Sequence, residues 1–346
     1  MPRLFMSMPK KVVSAQRQQG YLTVEAVSDW VHQLQRERVQ VAHYFLSPGD
    51  NAYRCLYEQA AASRAREQDF YSLSPAGFQK NSPVAPISLS AVRAQVVEGS
   101  IDIERAVAAY HQHISLLLQV VFNAADKADT PALCRSLVAL FHFIQAKEYA
   151  ELERIRELIS LLTNQFNHQS YRRLYQLQEL QDRSFHQFVQ FCGAELEAKW
   201  QSHCASEIAA QFMQLRCFVT RCCQGQKHAM TPSQLSTAAT ARFESLRQLE
   251  IALVRQVLAL SQLGDNASEP LFEKAKPNTS ASSNAMVEPH LALEDWQNIE
   301  SAKSMQMRRF GIDEEQAYSN LRHQAVDRNM RLAQWAKLYI AAGNLL

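Results

Sequence analysis

Glycine and proline are scarce in this chain, at 9 and 11 of 346 residues. A sheet protein needs many tight turns, so the scarcity argues for long helices instead. No segment alternates polar and apolar residues over a strand length between turn signals, and no sheet is expected. Long hydrophobic runs are missing too. The start, M-P-R-L-F-M-S-M-P-K-K, has no apolar core of the kind a signal peptide needs, and no later run reaches the length of a membrane span. A cytoplasmic protein without membrane contact is expected. Net charge is only +2, so any patch that binds nucleic acid must be local. The seven cysteines contain no pair of C-x-x-C motifs. Cys217, Cys222 and Cys223 therefore read as reduced core thiols, with no metal site. Catalytic signatures are absent as well: there is no H-E-x-x-H, no G-x-S-x-G and no phosphate-binding glycine loop. His111, His113 and His142 have no partner spacing that implies catalysis. The expectation is a protein that is not an enzyme, with no catalytic residue and no cofactor.

What is present is helical periodicity in an all-α pattern. Val27, Val31, Leu34, Val41 and Phe45 recur every three or four residues, which predicts a core-facing helix over 23–47 after a lead-in of residues 1–23. Pro48-Gly49-Asp50-Asn51 ends it. Further helices are expected at 53–70, 89–97, 102–125, 131–163, 170–192, 195–203, 206–223 and 231–263, with a loop through Pro75, Gly77, Pro83 and Pro86. Long helices on short connections suggest two stacked four-helix bundles. From residue 264 to 289 the composition turns to G-D-N-A-S-E-P and K-P-N-T-S-A-S-S-N-A, a flexible linker. The expected organisation is a helical sensor at 24–263, that linker, and a small three-helix domain at 290–346.

Two arginines sit where apolar residues should. Arg38 fills the one gap in the first helix's apolar seam, and Arg242 fills the gap in the seam of Leu235, Ala239, Leu246, Leu249 and Leu253. A guanidinium entering a bundle core carries a large desolvation cost unless a carboxylate, an anion or water meets it. Two inward cations suggest a shared anion. Internal pairing with Glu37, Glu148, Glu153 or Glu244 is the alternative, and periodicity alone favours it.

The run V-H-Q-L-Q-R-E-R at 31–38, with Ala42 and Phe45-Leu46-Ser47, resembles the opening helix of the NIT domain, a nitrate- and nitrite-sensing module. Tyr110, the run A-K-E-Y-A-E-L-E-R at 146–154 and A-T-A-R-F at 239–243 extend the likeness. Val39 stands where that family usually has glycine. The resemblance implies an anion site built from arginines on different helices: Arg38 first, then Arg154, then Arg242 or Arg216, between which the sequence does not choose. A guanidinium fork can give planar nitrate two parallel hydrogen bonds.

In the C-terminal domain, Ile299, Ala302, Lys303 and Met307, then Gly311-Ile312, Ala317-Tyr318, Leu321-Arg322, Ala325, Leu332 and Ala336 resemble the ANTAR domain, the RNA-binding effector of transcription antiterminators. Ser304 and Gln306 depart from its usual Gly and Leu. Gly311 should end one helix, and Asp313 should cap the next, with Gln316 in a capping-box position. Lys303, Arg309, Arg322, Arg328 and Arg331 are the expected RNA contacts. Together the two resemblances imply a one-component regulator that binds nitrate or nitrite and then binds leader RNA hairpins to prevent termination, touching RNA polymerase only indirectly. The small domain's thin core is compatible with a homodimer. A helical interaction scaffold, or a regulator answering a different small anion, is the competing reading.

Overall fold

A computed structural model describes residues 10–73, 88–223, 231–266, 289–327 and 332–343. Every element among them is an α-helix. In chain order these are α1 (Lys10–Leu46), α2 (Asp50–Leu73), α3 (Leu89–Glu98), α4 (Ile103–Asp126), α5 (Pro131–Leu162), α6 (His168–Phe191), α7 (Ala194–Cys204), α8 (Glu207–Cys223), α9 (Pro232–Asn266), α10 (Pro289–Phe310), α11 (Glu314–Asp327) and α12 (Leu332–Gly343). None is long and apolar enough to cross a membrane. The first helix starts at Lys10, inside the stretch read from sequence as a lead-in. The expected loop before α3, and most of the linker at 264–289, lie outside the described residues.

Helix ends follow local chemistry. Ser88 and Asn167 accept hydrogen bonds from the backbone N–H groups of Ala91 and Ser170 and so cap α3 and α6. Gly99 (φ 69°) and Gly311 (φ 62°) close α3 and α10 in the left-handed region that glycine enters at little cost. Asp313 caps α11 by accepting from the N–H of Gln316 at 2.8 Å.

The chain divides into two compact units: residues 1–124 with 135–261, and residues 125–134 with 262–346. In the first, α1, α5 and α9 are the long members, with 37, 32 and 35 residues. At 1.5 Å per residue each runs roughly 50 Å, longer than a single small bundle needs. Helix α5 is the axis of this unit. Between Leu133 and Leu161 it is buried almost without interruption, and its charged residues Lys147, Glu148, Glu151, Glu153, Arg154 and Glu157 are buried with the rest. Charges in that position need partners inside the fold, because no water is there to meet them. Two apolar clusters flank the stripe. One gathers Leu158, Leu161, Phe212, Leu215, Leu235 and Ala239; the other gathers Val39, Ala42, Val107 and Ile155.

In the second unit α10 packs on α11 and α12. Ile299, Ala302, Ala317, Leu321, Ala325, Leu332, Ala333 and Ala336 are its buried apolar residues.

Candidate anion site and effector face

The charged stripe of α5 meets its neighbours in separate networks. At residue 148, Arg38 on α1 grips the Glu148 carboxylate with both guanidinium ends, Nη2 donating to Oε2 at 2.9 Å and Nη1 bonding Oε1. Gln35 donates to the same carboxylate at 3.0 Å, and the half-exposed His111 lies 2.8 Å from Oε1. Burial alone would raise the pKa of Glu148, but Arg38 and His111 outweigh it and hold the carboxyl at a pKa of about 2. Arg38 is therefore answered by protein.

A second network joins α5 to α9 near residue 147. Lys147 bonds Glu250, which also takes a hydrogen bond from Ser28 and an ion pair from Arg247 at 2.9 Å. A third closes Glu37, which accepts from Arg93 at 2.7 and 2.9 Å and from Tyr110 at 2.7 Å.

The fourth is different. Glu153 on α5 accepts hydrogen bonds from Gln178 and Gln181 on α6, at 2.7 and 2.6 Å, and from Arg216 on α8 at 2.7 Å. The side-chain oxygen of Gln181 accepts from Arg216 at 2.7 Å and from both Nη atoms of Arg242 on α9 at 3.3 Å. Arg242 makes no ion pair among the described residues. Its guanidinium carbon sits 4.0 Å from the centre of the Phe212 ring, and that of Arg216 sits 5.1 Å from the same ring. Burial, then repulsion from Arg216, lowers the Arg242 pKa to about 10. Burial also pulls on Arg216, but Glu153 more than offsets it and raises the pKa above its usual value.

Arg154 completes the cluster. It donates to Thr240 at 2.7 Å and Ser236 at 3.2 Å, and pairs loosely with Glu151 at 3.5 Å. Glu157 is fully buried, neither of its carboxylate oxygens is hydrogen-bonded, and it lies within the electrostatic reach of Arg216, Arg242 and Arg154. Burial first, and the Glu153 charge second, drive its pKa well upward against the pull of Arg216, Arg242 and Arg154. The Nε atoms of Arg154 and Arg216 are also buried without a hydrogen-bond partner. The ensemble is a cluster of forked donors with one cation, Arg242, that makes no ion pair among the described residues, and such donors suit a small oxyanion.

The four arginines read from sequence thus divide. Arg154, Arg216 and Arg242 all act electrostatically on Glu157, while Arg38 is held by Glu148. Arg216 and Arg242, between which the sequence did not choose, both reach Gln181. Sequence reasoning did not single out Glu157, Gln181 or Glu151. The available signal was charge on every face of a helix flanked by apolar runs.

The first unit is matched by the family model for nitrate and nitrite sensing, over residues 29–258. The chain belongs to this family. An ANTAR domain model matches residues 290–338. The sensor family member described here is therefore a regulator with an appended ANTAR domain, and not an enzyme. It is 26% identical to a nitrate regulatory protein of Klebsiella oxytoca, over 92% of this chain and 89% of that protein. A solved structure of the NasR transcription antiterminator shares the fold, with a TM-score of 0.66 over 97% of this chain and 96% of the other, at 22% identity.

In the ANTAR-matched unit the basic residues have unequal roles. Lys303 is buried and pairs with Glu300 at 2.8 Å and Glu314 at 2.7 Å, so it ties α10 to α11 instead of facing solvent. That corrects its assignment as an RNA contact: two carboxylates within reach draw the ammonium inward. Arg322 donates to the Ala128 carbonyl at 2.7 Å and the Lys127 carbonyl at 3.3 Å, and meets Asp129 at 3.2 Å. Arg309 is exposed beside Arg308 and the 58% exposed ring of Phe310. Arg328 and Arg331 fall outside the described residues. The exposed run of Arg308, Arg309 and Phe310 was missed in part, although M-R-R-F at a helix end combines cation and aromatic as RNA-binding surfaces do.

Proposed function

We propose that this protein binds nitrate or nitrite at the Arg154, Arg216 and Arg242 cluster and, in response, binds leader RNA hairpins through residues 290–346 to prevent transcription termination. Residues 24–263 act as sensor and 264–289 as the connection. The observation that carries the anion site is the pairing of cations around α5: among the described residues Arg38, Lys147, Arg154 and Arg216 each have a carboxylate partner, and the half-buried Arg242 makes no ion pair. The phenyl face of Phe212 beside it favours a weakly hydrated, flat anion over a strongly hydrated one.

Coupling is a population shift, so the anion must favour the RNA-binding form over the resting one. The hydrogen bonds of Arg322 to residues 127–129 support a resting form in which that arginine is occupied. Tyr318, also on α11, is buried with its hydroxyl 3.4 Å from the Ala128 carbonyl. Both contacts must break before Arg322 can reach a phosphate. Arg308 and Arg309 stay accessible and supply salt-dependent affinity.

A second reading gives Arg38 a direct part. His111 already touches Glu148 at 2.8 Å, so it can keep that carboxylate while Arg38 turns to the anion. Arg38→Gln then loses anion binding together with the Arg242 cluster; otherwise it loses stability alone.

Thermal unfolding in nitrate, nitrite, chloride and sulfate tests the sensor half. Nitrate or nitrite should raise the midpoint by mass action, and sulfate should not. Gel-shift titration of a hairpin leader RNA tests the effector half. Nitrate should strengthen binding, and Arg309→Ala should weaken it and reduce the salt slope by about one. Equal RNA affinity with and without nitrate would refute the coupling.

A further inference from the structure

Glu157 is the one carboxyl of the α5 stripe that no donor meets. It is fully buried, both its oxygens lack hydrogen bonds, and it feels the charges of Arg216, Arg242 and Arg154. The groups facing it come from every neighbouring helix. Helix α5 supplies Glu151, Glu153 and Arg154; α6 supplies Gln181, with Asp182 acting on Arg216; α8 supplies Arg216 and the Cys223 thiol; α9 supplies Arg242. His43 lies within the field of Arg154, and His203 within that of Arg242.

Among these, Glu151 is committed to Arg154 and Glu153 to Arg216. Arg242 is left as a single uncompensated positive charge. Either of two negative charges can answer it: an ionised Glu157, or one bound monoanion. Both together would overfill the site and leave a surplus negative charge in a dry interior, which is costly.

We propose that Glu157 and the bound anion are mutually exclusive charges, so that a monoanion entering the Arg154, Arg216 and Arg242 cluster while Glu157 is ionised is accompanied by a proton taken from solvent onto the Glu157 carboxyl. No covalent bond to the anion forms or breaks. The carboxyl gains one O–H, and net charge in the site stays constant. The raised pKa of Glu157 agrees with a carboxyl that is already protonated at low pH and readily regains its proton once it has ionised. Two consequences follow. Anion affinity falls with rising pH, by about tenfold per pH unit once Glu157 is ionised in the free protein. Monoanions are preferred over dianions, because a single surplus charge is on offer.

This inference rests on the anion site proposed above, and calorimetry separates the two. Sodium nitrate is titrated into the full-length protein between pH 6 and 9, in buffers of different ionisation enthalpy, which gives the protons taken up per anion bound. Wild type should show uptake that climbs toward one with rising pH. Glu157→Gln, which keeps the shape and removes the titration, should bind nitrate with no uptake and a flat pH profile. Wild-type binding without uptake anywhere in the range overturns the proposal, as does equal uptake by wild type and Glu157→Gln. If Glu157→Gln does not fold, the wild-type buffer series alone decides. Nitrate binding that survives undiminished in Arg242→Gln would instead overturn the site itself, whatever the proton count.

Discussion

Two carboxylates on α5, Glu148 and Glu157, lie nine residues apart on the same buried helix and have opposite surroundings. Glu148 is met by Arg38, Gln35 and His111, and its pKa falls to about 2. Glu157 feels the charges of three arginines but neither of its oxygens is hydrogen-bonded, and its pKa rises, burial first and the Glu153 charge second. Burial is common to both. The difference lies in whether the cation beside the carboxylate is already spent. Arg38 is closed on Glu148, whereas Arg242 has only an amide oxygen and a ring face. A buried arginine is therefore weak evidence for a ligand until its partners are counted.

The strongest way to break the comparison is Arg38→Ala. It strands the Glu148 charge in the core, and urea unfolding should show a loss of about 3–5 kcal/mol. A loss below about 1 kcal/mol would mean that Glu148 is not held by Arg38. Acid comes next. His142 is buried, and burial outweighs the opposing effect of Gln145 and lowers its pKa to about 4. The unfolded chain binds that proton first, so as pH falls from about 6.5 to about 4 stability should drop by up to about 3 kcal/mol from this residue. His142→Phe should flatten that part of a stability-pH curve.

Glu148 acts lower down. Its contribution is full above about 4.5 and fades as pH falls toward about 2, so Glu148→Gln should remove the steep acid limb there. The smallest effect is expected at the open site. Arg242→Met replaces a cation that has no carboxylate, and stability without nitrate should change by no more than about 1 kcal/mol in either direction. A loss as large as that of Arg38→Ala would erase the distinction between the two sets.

Much of the fold was legible in the sequence because apolar residues at three- and four-residue spacing mark helices that bury one face. Helix α9 is an example, with Arg242 visible as the intruder in its seam. Helix α5 was legible only as a helix. It is buried on all sides, so no polar face told which of its charges point inward, and Glu157 looked like any solvated glutamate. The N-terminal part of α1 was missed because K-K-V-V-S-A-Q-R-Q-Q carries too few apolar positions to show a period. At the effector, charge alone suggested that Lys303 faces RNA. Its partners Glu300 and Glu314 sit three and eleven residues away, and only folding brings the second one near. Asp313, whose cap is encoded within four residues, was readable directly.

Isothermal titration of nitrate into wild type and Arg242→Gln at pH 6.5 tests the central claim most directly. The account predicts one saturable site in wild type and affinity weaker by about 10- to 100-fold in the variant, the loss of a charged hydrogen-bond donor, with helicity and unfolding midpoint unchanged. Equal nitrate affinity in the two proteins would contradict it.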